Sequence, residues 1–376
     1  MSVPPPPTSP RPSALRSLLL LAAVLAGLVV VRWSVTGGLS RPLAPPAQTR
    51  VHASPAPTAR DLAGLRGTLL YMGGRQVLAV DAASGTISSI PSPGAGRVRV
   101  LRQGEYLVLL ARDGGAAAQR ADLKSKPVLL GDAIDVLPSP RSDRVWLVSQ
   151  DETAPEQAYV LREVELTSSR KLRRWTLPYD AEPVAVVPQG VVIRDLQNRF
   201  EVRDPHGKRI VELGHDLTFL DRHGSLLAYL DDRRLHLHDL ATGVDRTLAS
   251  PTGARSWFAL GPPLPGVGCC LQVGAFSPDA RLLAVFTQLA GPGQPGLSIV
   301  DVASGRASVL PGSGGATPLA CQPCLGWSHS GWLFFFNGGA ALADPAAWRP
   351  GAPAAIPLAL DLRDVTTVLP SGLAPG

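Results

Sequence analysis

The strongest constraint on this chain is a two-part pattern that keeps returning in phase. One part is a hairpin: VDAASGTISSI from Val80, HDLATGVDRTL from His238 and VDVASGRASVL from Val300, with looser versions VELTSSRKL from Val164 and VRDPHGKRIVEL from Val202. A strand-forming run ends at an acidic residue, a small polar turn follows, and a second strand-forming run leaves. Gly85, Gly207, Gly243 and Gly305 supply the positive φ such turns often need. The other part precedes the hairpin: an apolar pair, a turn, then a strongly apolar run. It is centred on Leu101, Leu137, Val187, Leu220, Phe276 and Trp327. No stretch sustains a 3.6-residue period, so few helices are expected.

The pattern has two loose ends. TTVLPSG, around Leu369, has no strand after it to pair with, and the LRGTLLYM run near Leu69 lacks the preceding element. If Val365–Val368 pairs with the run near Leu69, the two ends complete a seventh unit. A linear array would leave exposed edges, and each unit alone has too little core, so closing a ring removes both problems. The expected fold is therefore all-β: a seven-bladed β-propeller over residues 63–376, its first blade closed by the C-terminal strand. A β-sandwich is the alternative, but recurrence in phase suits radial repetition better. The unit FSPDARLLAVF…LSIVDVASGRASVL resembles a blade of the WD40-like or TolB-like propeller superfamily. The resemblance covers roughly residues 65–372 and implies a propeller fold and a binding role. No Trp-Asp dipeptide closes any blade, so the chain departs from the orthodox WD40 pattern.

Ahead of the repeats lie three segments of different character. Residues 1–16, MSVPPPPTSPRPSALR, are too proline-rich for a helix and read as a short cytoplasmic tail. An uninterrupted apolar run from Leu18 to Val31 follows, and residues 17–33 are expected to form a transmembrane signal-anchor helix. Arg32 directly follows the run where a signal peptidase would need small neutral residues, Trp33 suits the headgroup level, and Arg16 and Arg32 can snorkel from either end. A cleaved signal peptide is the alternative. Arg11 and Arg16 favour a cytoplasmic N-terminus, giving a single-pass plasma-membrane protein with its propeller outside the cytoplasm. Residues 34–62 are rich in Pro and Ala and read as a spacer.

Charge narrows the partners. Lys and Arg total 36 against 30 Asp and Glu, a formal +6, but the excess is spread thinly. The densest cluster, Arg170, Lys171, Arg173 and Arg174, alternates as the solvent face of a strand would, so nucleic-acid binding is not expected. Only four basic residues are Lys, which with heavy Ala, Gly and Pro usage suggests a GC-rich bacterial genome.

Cys269, Cys270, Cys321 and Cys324 are the only cysteines. Aligning Phe276 with Trp327 puts Cys270 and Cys321 at equivalent positions of adjacent blades. In an exported domain the even count favours disulfides, Cys270–Cys321 with Cys269–Cys324 or the opposite crossing. A four-thiolate zinc site is the rival, but adjacent cysteines diverge in a strand.

Signals for chemistry are weak. His236 and His238 share a strand face beside Asp239, but no third metal ligand is apparent, and the position reads as solvated. WSHSG at 327–331 lacks the strand–turn–helix context of a nucleophile elbow and reads as a hairpin turn. Asp132, Asp135 and Asp279 are either channel carboxylates or turn formers. The expectation is a non-enzymatic, membrane-tethered binding or scaffold module with no cofactor and an unidentified protein partner. The longest irregular inserts are read at 111–120, 150–158, 251–269 and 289–296, and the contact loop is placed at Arg255, Trp257 and Phe258 within 251–269, packing of the aromatic pair against a neighbouring blade being the alternative. The alternative is an extracytoplasmic lactonase-like hydrolase with a channel metal, against which stands the scarcity of Asn, limited to Asn198 and Asn337.

Overall fold

The computed structural model describes residues 68–371 apart from 74–75, 82–86, 92–98, 112, 122–124, 152–157, 232–233, 259–273, 291–294, 317–324, 329, 338–343 and 358–364. All of these belong to the unit Ala53–Gly376. The expected tail, anchor helix and spacer, and all four cysteines, lie outside the described residues. Among the described residues no helix is long and apolar enough to cross a membrane.

The described residues form 29 strands, arranged in seven antiparallel sheets. From inner to outer strand, the first sheet holds Val365–Ser371, Thr68–Gly73, Gln76–Asp81 and Ile87–Pro91, and the second Arg99–Gln103, Tyr106–Leu110, Gly115–Arg120 and Val128–Asp132. The third has Asp135–Pro138, Arg144–Asp151, Ala158–Glu165 and Lys171–Pro178. The fourth has Glu182–Val187, Gly190–Arg194, Arg199–Arg203 and Arg209–His215, and the fifth Thr218–His223, Leu226–Asp231, Arg234–Asp239 and Val244–Leu248. The sixth has Leu282–Leu289, Pro295–Asp301 and Ala307–Val309 behind a split inner strand, Ala254–Trp257 and Gly274–Phe276. The seventh has Leu325–Trp327, Leu333–Asn337, Asp344–Trp348 and Ile356–Pro357.

Each inner strand touches the inner strand of the next sheet, from Arg99–Gln103 round to Leu325–Trp327. Leu325–Trp327 then touches Val365–Ser371, which in turn touches Arg99–Gln103. The sequence of contacts is therefore closed, and the arrangement is an all-β propeller. The pairing expected between the two ends of the repeat is present: Tyr71 lies opposite Val368 and Gly73 opposite Val365.

The packing explains the apolar runs. In the second to seventh sheets the second strand is covered on both sides, so its residues are apolar at consecutive positions rather than alternate ones. In Leu226–Asp231, Leu227 and Tyr229 pack with Val192 and Val202 of the fourth sheet. The residues between them, Ala228 and Leu230, join a core shared by the fifth, sixth and seventh sheets, with Val285, Phe286 and Phe334. Leu137, Trp146 and Leu161 of the third sheet meet Val186, Val191 and Ile193 of the fourth in the same way.

The acidic residues that end the hairpin strands act as local caps. The Asp301 carboxylate accepts hydrogen bonds from the Ser304 amide (2.8 Å) and hydroxyl (2.7 Å), and the Gly305 amide reaches the Asp301 carbonyl at 2.8 Å. Asp239 takes the Ala241 amide (3.0 Å) and the Thr242 hydroxyl (2.9 Å) likewise. Gly243 and Gly305, at φ 71° and 70°, hold the left-handed turn position.

Two segments read from sequence as irregular are strands. Gly115–Arg120 is the third strand of the second sheet, with Ala116 and Ala118 fully packed. Ala254–Trp257 is the first piece of the sixth sheet's inner strand. The Phe258 amide donates to the Phe286 carbonyl, and Gly274 lies opposite Val285. Residues 259–273 thus interrupt one continuous line of pairing.

Candidate functional site

The ring has two ends. At the leading end the inner strands begin and the second strands finish, because the two run antiparallel. Here the third and fourth sheets carry exposed apolar groups. Ile134 precedes the third sheet's inner strand and is 52% exposed, Tyr179 precedes the fourth's and is 45% exposed, and Leu196, in the following turn of the fourth, is 74% exposed. Tyr179 stacks on Tyr159 with ring centres 5.7 Å apart and planes 5° from parallel. The ion pair Arg194–Glu182, with Nε to Oε2 at 3.0 Å, lies at the same end. The Tyr159 hydroxyl titrates above the usual phenol range, chiefly through burial.

At the trailing end the inner strands finish and turn back. Asp221, in the fifth sheet, accepts the Phe276 amide of the sixth sheet at 2.7 Å and the Arg222 amide at 2.8 Å. Burial pushes its carboxyl up to about 6, against the pull of these bonds and of the Arg222 guanidinium. Arg222 Nη2 donates to the Pro138 carbonyl of the third sheet at 2.6 Å, passing the fourth sheet altogether. Gln103 Nε2 of the second sheet donates to the carbonyls of Ser139 (3.0 Å) and Arg141 (2.7 Å). Trp327 Nε1 of the seventh sheet donates to Ala275 O of the sixth at 3.0 Å. This end is laced together by polar side chains reaching between sheets.

The residues singled out from sequence fall elsewhere. Trp257 is 1% exposed and belongs to the apolar core, Phe258 packs against that core, and only Arg255 is exposed. The indole of Trp257 is thus packed between sheets as part of an inner strand, and the rest of the expected contact segment, from residue 259 on, lies outside the described residues. His236 and His238 are also not solvated, each being 8% exposed. They share a face as expected, and that face is turned toward the fourth sheet. His236 Nδ1 lies 3.0 Å from Asp245 Oδ2, and its ring stacks on Tyr229 with centres 5.0 Å apart. Among the described residues no group of three or more His, Cys, Asp or Glu is placed to hold a metal.

Asp279 is a turn former: its carboxylate takes the Ser277 hydroxyl (2.7 Å) and the Arg281 amide (3.1 Å), and these bonds, the hydroxyl foremost, hold it below the usual carboxylate range. Asp135 receives the Val136 amide at 2.7 Å, and Asp132 lies exposed at the edge of the second sheet. Ser328 closes a hairpin, its hydroxyl accepting the Trp332 amide at 2.9 Å. His329 and the four cysteines lie outside the described residues. The basic cluster is on the outer strand of the third sheet, as its alternation implied, with Arg170, Arg173 and Arg174 facing Glu165, Glu163 and Asp151 at 3.4–3.6 Å.

Arg102, Asp221 and Arg222 were not singled out from sequence. The available signal is that RQG at 102–104 and RHG at 222–224 repeat an arginine two residues before a turn glycine.

No protein-family model matches the chain, and no curated protein matches it. Solved structures do resemble it in the arrangement of its sheets. TolB from Acinetobacter baumannii is 15% identical, with 79% of this chain and 80% of that one covered and a TM-score of 0.42. A putative 6-phosphogluconolactonase from Bacteroides fragilis is 10% identical, with 82% and 98% covered and a TM-score of 0.48. An oligogalacturonate lyase in complex with manganese is 12% identical, with 78% and 85% covered and a TM-score of 0.49.

Proposed function

We propose that this chain is a membrane-tethered, extracytoplasmic binding module. It would be a seven-bladed ring, counting each sheet as one blade, that recognises a protein partner through the leading end of its third and fourth sheets. The observation that carries this reading is that Ile134, Tyr179 and Leu196 are all exposed at the leading end of two neighbouring sheets, with Tyr179 stacked on the half-buried Tyr159. Apolar and aromatic side chains exposed at one end of neighbouring sheets have the make-up of a recognition patch. A ring of packed sheets presents such connections with little freedom to lose on binding. The run Leu18–Val31, flanked by Arg16 and Arg32, supports the tether.

The test is photo-crosslinking in the native membrane, with the reactive residue placed at Leu196 in one protein and at the exposed Arg255 in another. A discrete adduct from position 196 but not 255, lost when Tyr179→Ser is added, supports the reading. Both substituted sites are exposed, so the melting temperature should hardly move. Equal labelling from both positions, or none from 196, would refute the surface. Protease treatment of intact cells or spheroplasts tests the topology: the propeller should be cleaved away from its anchor without lysis.

A further inference from the structure

The trailing end holds more cationic hydrogen-bonding capacity than the protein uses. Arg102 and Arg222 occupy equivalent positions in the second and fifth sheets, each one residue before the end of its inner strand. The turn glycines that follow share a conformation, Gly104 at φ 55° and Gly224 at φ 57°. Both side chains are mostly removed from water. Arg102 Nε and Nη1 and Arg222 Nε are buried with no hydrogen-bond partner. Leaving such donors unmet is costly, the more so for a charged group, so their presence asks for an acceptor.

No acceptor of the protein is bonded to them, although Glu163 Oε2 and Gln189 Oε1 at this end are likewise buried without a hydrogen bond. Asp221 is engaged by two backbone amides. Glu105 reaches Arg102 Nη2 only at 4.0 Å and is itself 63% exposed. Glu163 accepts the Ser139 hydroxyl at 3.2 Å through Oε1, while its Oε2 lies 3.5 and 3.4 Å from Arg144 and Arg173. The two guanidinium groups also approach each other's surroundings. The head of Arg222 is anchored on Pro138, at the end of the strand that adjoins the strand of Arg102. The carbonyls just beyond Pro138 are bound by Gln103, the neighbour of Arg102. A guanidinium presents its N–H groups in a planar fork that matches two oxygens of one anionic group.

We infer that Arg102 and Arg222 form an oxyanion-binding site at the trailing end of the ring, taking a carboxylate or phosphate group. This site stands at the opposite end from the proposed partner surface and does not depend on it. Burial pushes the Arg102 guanidinium down to about 10, which leaves it fully charged at neutral pH. A carboxylate here could come from a peptide C-terminus, and a phosphate from a small metabolite; the fork serves both.

The test uses the full chain in detergent, titrated at constant ionic strength against chloride. The probes are inorganic phosphate, acetyl-Gly-Gly with a free carboxyl, and the same peptide as its amide. A saturable rise in melting temperature with phosphate or the free-carboxyl peptide, absent with the amide, is expected. Phosphate alone acting identifies a phosphate ligand, and the peptide acid alone identifies a carboxylate. Arg102→Gln should weaken the response at least about tenfold, since a charged bidentate contact is lost. Arg222→Lys, which keeps the charge but not the fork, should weaken it less and guards against a folding defect in the first variant. If no oxyanion raises the melting temperature beyond chloride, or if Arg102→Gln and Arg222→Lys both respond as the natural sequence does, the assignment is wrong.

Discussion

The carboxylate of Asp221 in the fifth sheet accepts the backbone amide of Phe276 in the sixth at 2.7 Å, so a titratable group sits on the seam between two neighbouring sheets. Burial raises this carboxyl to about 6, whereas an Asp in the unfolded chain titrates near 4. The folded protein therefore holds a proton that unfolding releases between those values, and this group's contribution to stability is lost as pH rises from about 4 to about 6. Asp221→Asn keeps an acceptor for Phe276 but cannot ionise. The stability of the variant relative to the natural sequence should rise by about 1–3 kcal/mol across that window and stay level above it. Urea midpoints at pH 4, 5, 6 and 7 measure this, and a difference independent of pH would show that Asp221 is not shielded.

Trp257 is a core residue by position and Arg255 a surface one. Trp257→Ala should destabilise the domain by about 3–5 kcal/mol through the cavity it leaves, while Arg255→Ala should cost less than about 0.5 kcal/mol. Thermal melts of the two variants make the comparison. Equal small effects would mean that the indole is not packed between sheets.

Removing residues 365–376 takes away the strand that pairs with Thr68–Gly73. The truncated protein would carry an unpaired strand edge in the first sheet and an uncovered flank on both neighbours. Loss of the folded monomer, seen as aggregation in size-exclusion chromatography, is the expected outcome. A truncated protein that melts like the full chain would remove ring closure as a source of stability.

The strands Gly274–Phe276 and Leu325–Trp327, which follow the two cysteine pairs in sequence, belong to neighbouring sheets and touch. We expect Cys269, Cys270, Cys321 and Cys324 to be joined between the pairs once the protein is exported. Thiol titration of the denatured, unreduced protein should find none free, and four after reduction. Four free thiols without reductant would discard the idea.

How much of this was legible in the sequence follows from the range of each interaction. The hairpins were readable because Asp239 and Asp301 bond to residues within four positions, chemistry that a local pattern carries. The pairing of Thr68–Gly73 with Val365–Ser371 was readable by elimination, as each was the loose end of a repeat. Gly115–Arg120 was not, because Ala has little strand preference and packing between sheets decides its state. Trp257 was misread because a strand broken by residues 259–273 looks like the start of a loop. The burial of His236 and His238 was hidden for a similar reason, since their exposure depends on the fourth sheet. Arg102 and Arg222 lay in plain view within the repeat, but burial of their guanidinium nitrogens appears only once the inner strands are set side by side.

The split inner strand of the sixth sheet has a practical consequence. Phe258 and Gly274 are held by Phe286 and Val285, adjacent residues of a single strand, so the wall is stitched across the junction whatever chain runs between. The part of the stretch 259–273 ahead of Cys269 is accordingly the natural place to graft a reporter, a tag or a whole guest domain. The two ends of the stretch are already fixed in space a residue's width apart, and lengthening what joins them leaves every other pairing in register.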